Sequence, residues 1–357
     1  KHHFYGGVNI EAVGGGSGLV EAEIRRATQI GCEIRYETAA TRLIQDKTRK
    51  ITGLEINTPS GNEIINARSV VLACGGFESN PEMRARYLGP GWDLARVRGT
   101  RHNMGDGIRM AIDIGARAYG NWSGCHSVGW DISAPEYGDY EVLDNFQKHS
   151  YPWGIMINTD GKRFVDEGED LRNHTYVKFG REIMNQPNRT AVQIFDQKTI
   201  PLLRDEYRIR QVTKVSADTI KGLALELDID PTILCSTIDE FNAACQPGHF
   251  NPSVLDGVTT KGLIPNKTNW ALPINEPPYE AFVTTTGVTF TFGGLKIDDK
   301  GNVLDSNDRS INGLFAAGEL VGGLFYENYP GGSGLMAGAV YGKISGENAA
   351  YHAVGNN

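Results

Sequence analysis

The chain has 357 residues, which is enough for two domains with a sizeable hydrophobic core. Its charged content of 22% and hydrophobic content of 40% are typical of globular proteins. A formal net charge of −8 argues against a nucleic-acid-binding surface, and no apolar run reaches the ~18 residues that a membrane span requires. The five cysteines have neither disulfide nor zinc-site spacing, so we expect no metal and a cytoplasmic location.

The first informative stretch is "VGGGSGLVEAEIRRATQIGCEIRYET", residues 13–38, a glycine cluster followed by a helix-like run. A pyrophosphate-binding turn requires the spacing Gly-x-Gly-x-x-Gly, because backbone amides must reach the phosphates. Counted from Gly14, the third glycine position holds Leu19, and counted from Gly16 it holds Glu21. We therefore interpret this stretch as a glycine-rich turn before an amphipathic helix.

The predicted elements follow in chain order. The first part contains a helix over 19–30, strands within 32–46 and 50–76 with a hairpin turn at 57–63, a buried apolar strand at 69–74, and a turn and helix within 103–120. The second part contains an irregular aromatic segment over 122–154, a hairpin over 154–170, helical segments near 196–207, 216–227 and 231–245, strands from Thr284, and a helix from Leu335 to Val354.

Strands at both ends of the chain and an irregular middle predict an α/β fold with an insertion. We expect one sheet domain built from residues 1–100 and 284–357, with an inserted cap at 101–283. Long irregular insertions often cover a substrate. The lead-in at 7–13 contains two polar residues and is a poor candidate for a strand buried on both faces.

The most informative region begins at 293, where a hairpin leads into the apolar strand "GLFAAGE". A glutamate directly after a glycine at a strand end can accept hydrogen bonds from a polyol that approaches closely. A glycine-rich turn then opens a helix, whose free amides favour negative charge such as that of a reduced flavin ring. A plain strand-loop-helix unit is the alternative. The candidate cofactor-binding residues are Gly75, Gly76, Gly318, Glu319, Gly332, Ser333, Gly334 and Leu335.

Four segments in this order resemble the flavoprotein family of fumarate reductases and 3-ketosteroid dehydrogenases. They are "VVLACGGF", "NMGDGIRMAIDIGA", "NTDGKRFVDE" and "INGLFAAGE". Within that family, "DEGEDLRNHTYVKFGREI" and "GGLFYENYPGGSGLMAGAVYGK" resemble tricarballylate dehydrogenases. The resemblance implies an FAD-binding mixed-sheet domain with an inserted α+β cap, and an active site where the cap meets the flavin.

The resemblance also implies an upstream strand-turn-helix that carries the true glycine loop and its acidic partner. We interpret this chain as lacking that segment, so that its FAD-binding domain is incomplete at the N-terminus. We accordingly expect the chain alone to hold little FAD, with an exposed groove beside 70–76 and 313–319. A separate N-terminal segment is then a possible partner.

The resemblance assigns candidate catalytic residues. Arg172 stands where family members carry a proton-donating arginine, although one more residue separates it from Glu167. An arginine acid needs a relay that restores its proton, for which Glu167 and Glu169 are candidates. His126 stands where fumarate reductases bind a substrate carboxylate. A surface ion pair for Arg172 and a structural role for His126 are the alternatives.

Two departures disfavour simple fumarate reduction. Fumarate reductases carry a histidine within the run that reads Val288 to Phe292 here, and an arginine at the position of Tyr329. Tricarballylate dehydrogenases share the threonine, phenylalanine and tyrosine features. Tyr329 could donate a hydrogen bond, or act as a base if a cation lowered its pKa.

These observations predict a flavin-dependent oxidoreductase that moves a hydride between FAD and a carbon next to a carboxylate or carbonyl. A tricarballylate-type polycarboxylate is the expected substrate. The alternatives are a 3-ketosteroid-type dehydrogenase acting on an enone, and a non-catalytic binding protein that has lost its cofactor half. The expected partners are the small-molecule substrate and an electron acceptor or donor, without nucleic acid or membrane.

Overall fold

A computed structural model describes residues 12–355, and the lead-in at 7–13 lies largely outside them. The helices are α1 Gly15–Gln29, α2 Pro81–Met83, α3 Asp106–Asp113, α4 Arg172–Met184, α5 Ile220–Glu226, α6 Pro231–Ala244 and α7 Ser333–Val354. The strands are β1 Ala39–Gln45, β2 Ile51–Thr58, β3 Gly61–Asn66, β4 Val70–Leu72, β5 Arg96–Val97, β6 Ala118–Asp131, β7 Ile155–Asn158, β8 Ala191–Phe195, β9 Lys214–Ala217, β10 Tyr279–Leu295, β11 Asn302–Leu304 and β12 Ser310–Ala316.

The largest sheet is organised around β10, a strand of 17 residues. Its sequence is rich in threonine, valine and phenylalanine, which favour extended backbone. Strand β10 pairs antiparallel with β6, β8 and β9 and parallel with β5, and β7 pairs with β8. A single long strand therefore connects most of the sheet.

A smaller sheet joins the two ends of the chain. Strand β4 pairs parallel with β12, and β12 pairs antiparallel with β11. The parallel and antiparallel pairings, with helices packed on the sheets, confirm the predicted mixed α/β fold class. Strand β4 lies at the edge of the described sheet and Val71 is 37% exposed, so the prediction of a buried strand is wrong there. The domain boundaries at 100 and 283 stay predictions.

Strands β1, β2 and β3 form an antiparallel meander. Thr58 pairs with Gly61, which confirms the hairpin turn predicted between β2 and β3. The segment before β1 is not a strand, because Glu37 has a left-handed φ of 51° and Tyr36 is 71% exposed. Helix α1 begins at Gly15, earlier than predicted, directly after the left-handed Gly14.

The middle of the chain is more regular than its sequence suggests. Strand β6 has 14 residues and extends to Asp131, so it covers the first part of the segment predicted to be irregular. Its glycines and aromatic residues mask the two-residue period, and its register with β10 shifts twice. Conversely, 196–207 forms two short 3₁₀ turns instead of a helix. Pro201, which lacks a backbone donor, lies in the first of them.

Several predictions for the later elements are confirmed. The turn after β7 contains Gly161 at φ 72°, although its second arm is reduced to the isolated bridge Ile157–Arg163. Helices α5, α6 and α7 lie where the sequence predicts them. Among residues 12–355, no helix has both the length and the apolar content to cross a bilayer.

The three largest apolar clusters pack on the sheets. The first includes Phe77 and Ile108, the second Val128 and Phe292, and the third covers β7 and β8 with α5 and α6. Strand β10 contributes residues to all three clusters. Its position thus determines how the elements that carry the site lie against one another.

Strand β10 approaches the loop after β12 closely, so we expect alanine substitutions at two glycines to change the stability of the protein in opposite directions. A Cβ added to Gly294 would overlap the backbone of Leu320, whereas one added to Gly346 in α7 would meet no described atom within 4 Å. We expect Gly294→Ala to destabilise the protein by about 1–3 kcal/mol through overpacking. Gly346→Ala should stabilise it by ~0.5–1 kcal/mol, because alanine favours helix. Thermal unfolding of both variants tests this, and equal shifts in melting temperature would contradict it.

Candidate functional site

Two glycines bring the end of β4 against β10 at the predicted cofactor side. Gly75 has a left-handed φ of 75°. A Cβ added to Gly76 would overlap the Glu319 carboxylate and the Thr291 hydroxyl. The Phe77 N–H donates to Thr291 Oγ1 at 3.2 Å. The structure therefore brings Gly75, Gly76 and Glu319 together, and it requires glycine at position 76.

Glu319 belongs to a buried pair of carboxyl groups. Its Oε1 accepts the Thr291 N–H at 2.7 Å. Burial raises the pKa of Glu319 well above its ordinary value, and the neighbouring Glu78 raises it further. Burial also raises the pKa of Glu78, whose Oε1 accepts the Asn103 amide and whose Oε2 has no partner among the described residues. Burial and the second carboxyl thus both favour the protonated form of Glu319, so Glu319 differs from the exposed carboxylate that its sequence position suggests.

The first turn of α7 leaves the backbone N–H groups of Gly334 and Leu335 without a hydrogen-bond partner among the described residues, whereas the Ser333 N–H donates to the Pro330 carbonyl at 3.2 Å. Gly332 is the N-cap at φ 85°, with no side-chain cap. A Cβ at Gly318 or Gly332 would meet no described atom within 4 Å. Leu335 and Met336 are 60% and 56% exposed. Free helix amides suit negative charge and the apolar surface suits a flat ring, so these residues fit a flavin cofactor.

Gly334, a predicted cofactor-binding residue, lies next to Tyr329, a predicted catalytic residue. A Cβ added there would lie 3.3 Å from the Tyr329 hydroxyl and 3.4 Å from the Phe290 ring. In the same turn, Ser333 Oγ donates to the Pro330 carbonyl at 2.6 Å. All the predicted residues from Gly332 to Leu335 therefore lie in one helical turn next to Tyr329.

His126 and Tyr329 contact each other directly. The Tyr329 hydroxyl lies 2.9 Å from His126 Nδ1, and both side chains are buried. Burial raises the pKa of Tyr329, so its phenol keeps its proton and can donate to Nδ1. Burial and, second, the charge of Arg98 lower the pKa of His126 well below its ordinary value. The geometry thus favours a hydrogen-bonding role for Tyr329 over a role as a base.

Arg172 is the first residue of α4 and lies against two aromatic rings. Its Nη1 is 3.4 Å from His149 Nδ1, and its guanidinium carbon is 5.5 Å from the centre of the Tyr176 ring. The rings of His126 and His149 lie 5.1 and 5.2 Å from that of Tyr176. Tyr176 therefore connects Arg172 to His126, as the predicted site requires. Burial and the nearby Arg204 lower the pKa of Arg172.

The unsatisfied polar atoms of this region are mostly hydrogen-bond donors. A guanidinium only donates, so His149 Nδ1 accepts from Arg172 and its Nε2 carries the hydrogen. The same holds for His126 when Tyr329 donates to its Nδ1. In the part of the chain that the structure describes, both Nε2 atoms and Arg98 Nη1 are buried without partners. Buried donors are normally paired, so this cluster indicates a ligand that supplies acceptors.

Glu167 lies elsewhere. Its carboxylate pairs with Arg163 at 2.6 Å and accepts the Met156 N–H at 2.7 Å, with a side chain that is 0% exposed. Glu169 forms a surface pair with Lys178 at 2.5 Å. No hydrogen bond within residues 12–355 joins either glutamate to Arg172, which contacts His149 instead.

The sequence analysis missed four residues of the site: Arg98, His149, Tyr176 and Glu78. His149 lies in the aromatic segment, and Arg98 follows a strand of two residues, so neither belongs to a recognisable motif. The sequence could have indicated Tyr176, because this residue follows Arg172 by four positions and therefore lies on the same face of a helix.

The fold and the site define an α/β cofactor-binding protein in which a flavin site adjoins a donor-rich pocket. The profile of the family described as "FAD binding domain" matches residues 2–335, so the chain belongs to this FAD-binding family. Its cofactor is FAD, as the sequence predicts. The residues assigned to FAD contacts and to catalysis stay predictions.

Known proteins of this type are similar over most of the chain. A probable fumarate reductase, Ifc3, of Shewanella frigidimarina (strain NCIMB 400) is 28% identical over 344 residues, covering 95% of this chain and 54% of the relative. A 3-oxosteroid 1-dehydrogenase of Mycobacterium tuberculosis (strain ATCC 25618 / H37Rv) is 29% identical over 303 residues, covering 78% and 52%. The structure of the open conformation of a flavocytochrome c3 fumarate reductase superposes with a TM-score of 0.74 at 25% identity, covering 99% of this chain and 60% of that one.

The chain spans about half the length of these two curated relatives. The predicted family resemblance is confirmed, whereas the likeness to tricarballylate dehydrogenase, the missing glycine loop and the weak FAD binding stay predictions.

The burial of Glu167 predicts a structural role that a stability measurement can detect. Glu167→Ala leaves Arg163 buried without its partner, so we expect a loss of about 3–5 kcal/mol in the free energy of unfolding. Glu169→Ala removes only a partly exposed pair and should change it by less than ~1 kcal/mol. Urea unfolding of the two variants makes the comparison, and equally small effects would show that Glu167 does not hold Arg163 in place.

Proposed function

We propose that this protein is a flavin-dependent oxidoreductase that interconverts C–C and C=C bonds next to a carboxylate of a small polycarboxylate. One observation carries the proposal. Two neutral histidine N–H groups and two arginines converge beside the cofactor side, and the acidic partner of Arg98, Asp144, already binds it at 2.5 Å. Such a set of donors with positive charge complements a carboxylate.

The reaction needs one hydride transfer and one proton transfer. FAD, when bound, exchanges the hydride with the substrate carbon β to the carboxylate. In the reductive direction, Arg172 delivers a proton to the α-carbon and a C=C bond becomes a C–C bond. In the oxidative direction the proton leaves by the same route, and bound FAD would accept the hydride. His126 and His149 hold the carboxylate that activates these carbons.

The surroundings of Arg172 support a role in proton transfer. Arginine is normally too weak an acid, but burial and Arg204 lower the pKa of this one. Its contact with His149 Nδ1 offers an acceptor at 3.4 Å. Arg204 in turn pairs with the buried Glu206 at 2.5 Å. His149, the side chain in contact with Arg172, therefore replaces Glu167 and Glu169 as the candidate that exchanges a proton with it.

The aromatic side chains of the site support a second candidate, a 3-ketosteroid-type dehydrogenase. Phe290, Phe292 and Phe325 pack around Tyr329, and one curated relative is a 3-oxosteroid 1-dehydrogenase. A steroid offers few hydrogen-bond acceptors for the donor cluster, however. We therefore favour a tricarballylate-type substrate over a steroid, and catalysis over a non-catalytic binding role.

A ligand panel tests the substrate class. Tricarballylate, succinate and fumarate should each perturb the absorbance spectrum of the FAD-loaded protein, and added salt should weaken their binding because it screens the arginines. A 3-ketosteroid should leave the spectrum unchanged. The opposite pattern would replace the carboxylate proposal with the steroid alternative.

The proton role of Arg172 predicts that Arg172→Lys loses most of its turnover, by at least about 100-fold, while FAD stays bound. Lysine keeps a positive charge but lacks the planar guanidinium that reaches both His149 and the substrate. Arg181→Lys is the matched control on the same helix, since Arg181 donates to the Ser123 carbonyl at 2.5 Å outside the donor cluster. The test is the turnover of both variants with the ligand that perturbs the flavin spectrum. Wild-type turnover in Arg172→Lys would show that Arg172 does not deliver the proton.

A further inference from the structure

Arg98 reaches the donor cluster from a different part of the chain than Arg172. It follows β5, and its backbone N–H donates to the Val288 carbonyl at 2.8 Å. On the other edge of β10, Val288 pairs with Ser127, and Phe290 pairs with His126. Arg98 therefore lies one strand away from His126, across β10.

Three contacts fix the direction of the Arg98 guanidinium. Nε and Nη2 donate to the two carboxylate oxygens of Asp144 at 2.5 and 2.6 Å. The guanidinium carbon lies 5.6 Å from the centre of the Trp130 ring. The third nitrogen, Nη1, is buried and has no partner within the described residues. Asp144 thus orients the side chain and leaves one charged donor unused.

A cavity of about 400 Å³ adjoins Arg98 and opens toward the 93%-exposed Tyr140. Thr289 also lines it, and its buried Oγ1 has no partner among residues 12–355. The cavity contains two carboxylates: Asp144 binds Arg98, and Asp139 Oδ1 accepts the backbone N–H groups of 141 and 142. Arg101 and His102 line it too, and its buried polar atoms without a partner among the described residues are Arg98 Nη1 and Thr289 Oγ1.

The pairing across β10 places Arg98 one strand away from His126, and its charge acts on both histidines. After burial, its charge is the next cause that lowers the pKa of His126, and it also contributes to the lowered pKa of His149. Arg172 is engaged with His149 and Tyr176, so it is not the group that can serve a second anion near Thr289.

We propose that Arg98 and Thr289 bind a second carboxylate of the substrate, apart from the one held by His126 and His149. This inference rests on the proposed function and assigns the residues that hold the second carboxylate of the polycarboxylate. A substrate with one carboxylate would leave Arg98 Nη1 and Thr289 Oγ1 unsatisfied.

Calorimetric titration of the full chain with FAD present tests the proposal, using tricarballylate and the monocarboxylate butyrate as probes. We expect Arg98→Gln to weaken tricarballylate about 10- to 100-fold, the value of one charged hydrogen bond, and to change butyrate by less than about 2-fold. Thr289→Val, which keeps the shape and removes the hydroxyl, should weaken tricarballylate about 3- to 10-fold. Arg109→Gln is the control, because Arg109 forms an exposed pair with Asp106 on α3 at 2.7 Å.

The outcomes separate this inference from the proposed function. Wild-type affinity for tricarballylate in Arg98→Gln, or an equal loss for butyrate, overturns the role of Arg98 while carboxylate binding stands. If neither probe binds the wild-type protein, the proposed function itself fails, and this inference with it. Melting temperatures show whether each variant is folded. If Arg98→Gln is unfolded, Thr289→Val tests the proposal instead, and an equal affinity change for tricarballylate and butyrate in that variant overturns it.

Discussion

The pairing of β10 with the strands on both of its edges is the constraint on which the rest of the structure depends. This strand contacts β5 and β6 along its second half and β8 and β9 along its first. Thr291 binds Glu319, and Thr289 lines the cavity beside Arg98. Two residues of one strand, two positions apart, therefore contact the predicted cofactor residue Glu319 and the cavity of Arg98.

The chemistry of the site follows from what burial does to each type of side chain. Burial lowers the pKa of both histidines, raises the pKa of Tyr329 and raises the pKa of Glu319. Arginine retains its charge under the same conditions, although the pKa of Arg172 falls. The pocket thus combines the positive charges of the arginines with neutral hydrogen-bond donors, an arrangement that favours the binding of anions.

The sequence predicted the parts of this arrangement that depend on local pattern. The fold class, the glycine turns and the helix after Gly332 followed from periodicity and turn chemistry, and His126, Tyr329 and Arg172 followed from the family resemblance. The approach of His149 to Arg172 depends on how two loops fold over α4, which no local pattern encodes. Glu167 illustrates the reverse error, because nearness in sequence to Arg172 suggested a relay whereas its carboxylate turns toward Arg163.

The lowered pKa values of His126 and His149 determine which groups can make ligand binding depend on pH. Neither ring gains a proton near neutral pH, since each titrates well below its ordinary value. The arginines do not change charge in this range either. The histidines and arginines of the donor cluster therefore do not make the capture of an anion depend on pH across the physiological range. The ligand does, because its carboxyl groups must be ionised before these donors can hold them.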